Sequence, residues 1–269
     1  MTAQTLQSER PAAPDDLLAT LADSSRAWAN AIERLRALRR LPGQKPGGYA
    51  LHETIAAARP ALVAAMHREL GGTQLVVVPT PDAAERAFAD LLYYLGDRSG
   101  RVALLRSREE AVGAIESPSE RSARLTLLAD LAANAPRIVL APIAALAQRL
   151  MRRARFEELR FSLQPGSEPG WEALQQRLFG LGYTRVDVVS AVGEYAVRGG
   201  IIDLFAASAD VPARIEFFGD TIESLRTFAI ESQRSDAAIE RLAVTPWDDR
   251  LDENATLFDY LPADAMVVL

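Results

Sequence analysis

Three short apolar runs constrain this chain more than any other feature. TQLVVVP at 73–79, RVALL at 101–105 and RIVLAP at 137–142 lack polar alternation, the pattern of strands buried on both faces. Segments of helical period lie between and after them. Thr80 caps one helix with Pro81 at its first position, and Ala84, Phe88, Leu91, Leu92 and Leu95 make a face that Gly96 ends. Ser119 is expected to cap a second helix carrying Leu125, Leu128 and Leu131, and a third after Pro142 turns Ile143, Leu146 and Leu150 inward. Strands alternating with helices imply a parallel sheet covered by helices.

Near residue 155 the pattern changes. LRFSL at 159–163 reads as a short strand, followed by a helix whose expected buried stripe is Trp171, Leu174, Leu178 and Phe179, ended by Gly182. YTRVDVV, EYAVRGGIIDLFA, ARIEFFG and TIESLRTFA then follow in quick succession, the mark of an antiparallel meander. The fold class expected is therefore α/β, a parallel sheet with an inserted α+β domain built on that meander.

The boundaries follow from the same changes. Residues 1–40 form a tail and a helix, which Asp15 and Asp16 open and along which Leu21, Trp28, Ile32, Leu35 and Leu38 recur, with Ser25 able to cap its second half. The turn-rich LPGQKPGG at 41–48 separates it from an α/β domain over 41–155. The insert occupies 156–245, and 246–269 returns to the first domain. AMVVL at 265–269 reads as a buried strand with no turn after it, so the chain is expected to be a piece of something longer.

Composition removes several chemistries. There is no cysteine, only His52 and His67 supply imidazole, and Lys45 is the one lysine. Disulfides, thiol nucleophiles and Cys-ligated zinc are excluded, and Schiff-base chemistry is confined to one position. The net charge of −6 argues against the basic footprint of a dedicated DNA-binding domain. No apolar run approaches the roughly 20 residues of a membrane span, and the polar start MTAQTLQSERPAAPDD is no secretory signal. A cytoplasmic address is expected.

A phosphate loop needs glycines, a Lys and a Ser or Thr. Lys45 is followed by Pro46, and HETIAAARPALVAAM at 52–66 offers alanines, Arg59 and Pro60 instead. An ordinary helix start with Pro60 in its first turn is the better reading. Asp187, Asp203, Glu216 and Asp220 could suit a magnesium nuclease. However, Phe218 stands where such folds place a lysine, and Asp203 and Asp220 are expected at strand ends or turns in solvent. In the basic run QRLMRRARFEELR at 148–160, Arg149, Arg152, Arg153 and Arg155 could touch phosphate. Solvating a helix end, with the C-terminal dipole in their favour, is the preferred alternative.

ARIEFFG is sharper. Alternation puts Ala213, Ile215 and Phe217 on one face and Arg214, Glu216 and Phe218 on the other. Arg and Phe on a rigid strand are components of interface hot spots, and Arg198 before Gly199-Gly200 could join them. Phe218 covered by a neighbouring domain is an equal alternative.

GLGYTRVDVVSAVGEYAVRGGIIDLF followed by ARIEFFGDTIESLRTFAIESQRS resembles the bacterial transcription-repair coupling factor family and, more distantly, the excision-repair helicase subunit UvrB. Weaker similarity runs back to about residue 50 through LVVVPTPDAAERAF, SPSERSARL and APIAALAQRL, leaving RVALLRSREEAVGAIES at 101–117 as a departure. The resemblance implies a UvrB-like first domain with a degenerate nucleotide-binding loop, as AAARPALV has, and a second domain that binds the damage-recognition subunit UvrA. It places the UvrA-contacting positions on Arg198, Arg214 and Phe218. The two Arg would bond a carboxylate on UvrA and Phe218 would fill an apolar pocket. It further implies a full-length ATP-dependent translocase whose motor, with its ATP, DNA and RNA polymerase contacts, lies beyond Leu269. No cofactor and no catalysis are then expected of this chain. The alternatives are a DNA-binding module using Arg152 and Arg153, and a residual nucleotide-binding enzyme.

Overall fold

The computed structural model describes residues 26–39, 58–96, 101–108 and 116–269. The expected N-terminal tail, the helix opening at Asp15, the Ser25 cap, the 41–48 linker with Lys45, and His52 lie outside these residues, as do 109–115 of the divergent segment.

Helices α1 (Arg26–Arg39) and α2 (Arg59–Leu70) precede strand β1 (Gln74–Val78), helix α3 (Pro81–Leu95) and strand β2 (Val102–Leu104). Helix α4 (Pro118–Ala132) leads to β3 (Ile138–Pro142), and β12 (Met266–Val268) comes from the far end of the sequence. These four strands form a parallel sheet in the order β12-β1-β3-β2. Leu75, Val139 and Ala141 face α4, whereas Val76, Ile138, Leu140 and Leu104 face α1, α2 and α3. Both sets are buried, which explains runs without polar alternation. The start of α3 is as expected: Thr80 Oγ1 accepts from Ala83 N at 3.2 Å with Pro81 next, and Gly96 closes the helix in the left-handed region. Pro60 lies in the first turn of α2.

Past β3 come a single turn, α5 (Ile143–Leu146), and then α6 (Arg153–Leu159), β4 (Phe161–Leu163) and α7 (Trp171–Gly180). The remaining strands of this part are β5 (Thr184–Arg185), β6 (Glu194–Arg198), β7 (Ile201–Leu204), β8 (Ala213–Phe218), β9 (Thr221–Phe228) and β10 (Ser235–Ala238). They make a six-stranded sheet in the order β10-β9-β8-β7-β6-β5, antiparallel except for the short β5–β6 pair. β11 (Leu242–Val244) pairs antiparallel with β4, so the chain leaves this part beside the place where it entered. One apolar core runs on from Leu128 and Val139 through Phe156, Leu178 and Tyr183 to Ile202, Ile215 and Leu225.

The segment after β11 ties the two sheets together. Trp247 and Asp248 both donate backbone N–H to Leu181 O, at 2.8 and 2.9 Å. A Cβ on Gly193 would come within 2.2 Å of the Trp247 indole, and one on Gly182 within 2.6 Å of Asp248 Cβ. Both glycines also have positive φ, at 89°, so backbone shape and close approach each demand Gly there. Asp249 is buried between two arginines of the parallel-sheet part. Its Oδ2 accepts from Arg124 Nε at 2.7 Å and Arg108 Nη2 at 2.6 Å. Glu116 accepts from Arg124 and Arg121, Glu253 accepts from Arg108, and the Arg121 guanidinium lies 5.1 Å from the Trp247 ring centre. Burial pushes the Asp249 and Glu116 carboxyls up, but the bonds and fields of their arginines outweigh it and hold both below their ordinary values.

Several expectations need correction. Ser117, not Ser119, caps α4, in a capping box with Glu120; the Ser-Pro-Ser-Glu order satisfies the three-residue spacing only from Ser117. Ile143 is exposed, because α5 ends after one turn, with Ala145 buried and Leu146 packed against the core as expected. Phe179 is 74% exposed, since it stands about 100° around the helix from Leu178. Arg152 and Arg153 begin α6 rather than ending a helix, so the expected dipole advantage has the wrong sign. β12 is an edge strand with Val267 half exposed, not a fully buried one.

Candidate partner-binding surface

The six-stranded sheet has two unlike faces, and strand register decides which residues share each. Directly paired residues lie on one face. The rows Val197–Ile202–Ile215–Leu225 and Tyr195–Leu204–Ala213–Thr227 turn toward the core. Arg198–Ile201–Glu216–Ser224 and Ala196–Asp203–Arg214–Arg226 turn away from it. Arg198, Arg214 and Phe218, taken from three separate positions in the sequence, thus occupy one face.

Phe217 and Phe218 diverge as alternation requires. Phe217 packs against the core, edge-on to Trp171 with 5.2 Å between ring centres. Phe218 is 80% exposed. It stands at the end of β8, where Gly219, at φ 61°, begins the two-residue turn into β9. The β6–β7 hairpin ends at the same side of the sheet, with Gly199 at φ 56° in the equivalent place. Gly in the first turn position is what a type II′ hairpin requires. Phe217 N donates to Gly200 O at 2.8 Å, and a Cβ on Gly200 would lie 3.1 Å from Phe217 O. The two hairpin tips are locked side by side.

Arg198 is exposed, and its Nη2 and Nε donate to Asp187 O at 2.9 and 3.3 Å. Arg214 lies four residues from Phe218, about 13 Å along the strand. Its Nε and Nη2 donate to the two carboxylate oxygens of Asp203 at 2.7 and 2.9 Å, and Nη1 donates to Gln233 O and Ser235 Oγ. The guanidinium also lies 5.1 Å from the Phe228 ring centre. Bonding to Asp203, followed by the field of Asp203 and Glu216, overrides desolvation and raises the Arg214 pKa. The expected carboxylate partner of this fork is present, but it belongs to the same chain.

Asp203 corrects the sequence expectation: it is buried, not a solvated strand end. Its position between Ile202 and Leu204 was the available signal, because alternation puts it on the face of Arg214. Asp187, Glu216 and Asp220 do not join it: Glu216 accepts from Ser224 Oγ and Asp220 Oδ1 from Trp171 N. Among the described residues no group of three metal-ligating side chains is assembled, and no helix is long and apolar enough to cross a membrane. Arg152 pairs with Asp252, Arg153 with Glu157 and the Ala132 carbonyl, and Arg155 with Glu158.

Residues 161–249, which hold this sheet and its strand-paired stem, match the family model of the UvrB interaction domain. The chain is similar to transcription-repair-coupling factors, at 31% identity to that of Myxococcus xanthus over 82% of this chain, 30% to that of Bacillus subtilis over 70%, and 35% to that of Mycobacterium tuberculosis over 71%. It spans 18, 16 and 16% of those relatives' lengths.

Proposed function

We propose that this chain is a non-catalytic adaptor that recruits UvrA to sites of transcription-coupled excision repair, in the cytoplasm, through the outer face of its six-stranded sheet. The observation that carries the reading is Phe218, an aromatic ring held in solvent on a locked hairpin tip. Such a ring enters a partner's pocket with little further ordering to do. Arg198 flanks it at the same end of the sheet. Arg214 contributes from further along, its ion pair with Asp203 fixing the strand on which Phe218 stands. Two domains are proposed, 41–155 and 156–245, with 246–269 returning to the first; the β4–β11 stem supports the insertion. We read the first as a nucleotide-binding fold whose phosphate loop has degenerated, Arg59 and Pro60 opening α2 where Gly and Lys would be required. Neither ATP nor a metal is then used here, and a translocase motor, DNA and RNA polymerase are matters for a longer protein of this kind.

The test is binding of purified UvrA. Phe218→Ala is expected to weaken it by about 2 kcal/mol, with the fold intact. A folded Phe218→Ala, Arg214→Ala chain that binds as well as the parent refutes the reading. The alternative DNA-binding role has less support, because Arg152 and Arg153 already face acids. Salt-sensitive DNA affinity lost on replacing these two would restore it.

A further inference from the structure

We infer that the docking face proposed above continues from the β8–β9 tip onto the 186–191 loop, with Val188 as its second apolar contact and Arg198 as the strut that holds the loop. This extension rests on the UvrA reading.

The loop is pinned from several sides. Val186 N donates to Tyr195 O at 2.9 Å. One oxygen of Glu194 accepts from Ser190 N at 2.8 Å, Ala191 N at 2.9 Å and Ser190 Oγ at 3.1 Å. Gln233 Nε2 donates to Val189 O at 3.2 Å. Val189 is fully buried in a small cluster with Ala196 and Phe228, on the outer face of the sheet. Between these anchors Val188 is left 49% exposed. Arg198 bonds the carbonyl of the residue just before it, so a side chain expected to reach a partner instead ties the loop to the hairpin end of β6, while Val189 packs further along the outer face against Phe228.

The spacing suits one partner. Arg198 and Phe218 are two strands apart and two residues offset, about 10 Å across and 7 Å along the sheet. Both fall within a standard footprint of about 800 Å² per partner. A pre-ordered apolar side chain on the same face adds contact area without the entropy cost of fixing a mobile loop.

The experiment uses the 269-residue chain and purified UvrA. Val188→Asp is expected to weaken binding about tenfold, the effect of losing one apolar hot-spot contact. Amides of 187–190 should gain hydrogen-exchange protection on adding UvrA, together with those of 216–221. Arg198→Gln keeps an N–H donor near the present Nε without the charge, and should retain more affinity than Arg198→Ala. Unchanged binding by Val188→Asp, or no protection at 187–190, overturns the extension while Phe218→Ala still weakens binding. If Arg198→Gln binds no better than Arg198→Ala, the strut role falls. If Phe218→Ala and Val188→Asp both bind like the parent, the UvrA reading itself fails.

Discussion

In the parallel sheet Leu75 and Val139 face one way, Val76 and Leu140 the other, and helices or the shared core cover all four. In the antiparallel sheet only one face is so covered. Its outer face carries an ion pair, a small apolar cluster and, at one end, an exposed phenylalanine. A sheet buried on both sides has little surface left with which to recognise anything. A sheet with one open face keeps a rigid backbone under side chains that remain available. The difference assigns stability to the first region and its junction, and recognition to the second.

The junction offers the severest test. Asp249→Ala would leave Arg124 and Arg108 buried without their shared carboxylate and is expected to cost about 4 kcal/mol in urea unfolding. Acid should act at the same place. Asp249 and Glu116 have folded-state pKa values below their ordinary 3.8 and 4.5. The stability they confer is therefore complete above those ordinary values and is lost as pH falls through the lower folded ones. Asp249→Asn should flatten that part of the stability–pH curve, and an unchanged slope would remove the junction from the account.

Gly193→Ala comes next. Its Cβ would collide with the Trp247 indole in a left-handed backbone, for an expected loss of about 3 kcal/mol. Asp203→Ala breaks the Arg214 pair on the open face, where a side chain 15% exposed can turn toward water. About 2 kcal/mol is expected, less than at the junction. If Asp203→Ala proves the costlier of the two aspartate variants, the contrast between open face and closed junction is wrong. The smallest effect is on Phe218: Phe218→Ala should change unfolding stability by no more than about 0.5 kcal/mol. A larger loss would mean the ring supports the fold.

Legibility followed the range of the interactions. The buried runs of the parallel sheet, the Thr80 and Gly96 caps, and the opposed directions of Phe217 and Phe218 are written in local periodicity. Phe179 was misplaced because its neighbour Leu178 is buried and a helix turns about 100° per residue. Ile143 was misplaced because nothing local shows that α5 lasts one turn. Burial of Asp203 has only a weak local sign, its apolar neighbours Ile202 and Leu204. The capping box at Ser117 is written in full in the Ser-Pro-Ser-Glu order, with Glu120 three residues on.

The order of apolar and polar residues, by itself, determined that a parallel sheet is followed by an antiparallel one, and that Arg214 and Phe218 share a strand face. These depend on backbone geometry within a few residues. Only the tertiary structure decided that Arg214 bonds Asp203, that Arg198 holds the loop before Val188, and that Trp247 and Asp249 fasten the two sheets together. Each joins residues from separate elements, and whether a charged or aromatic side chain meets a partner or water is set by which element packs beside it.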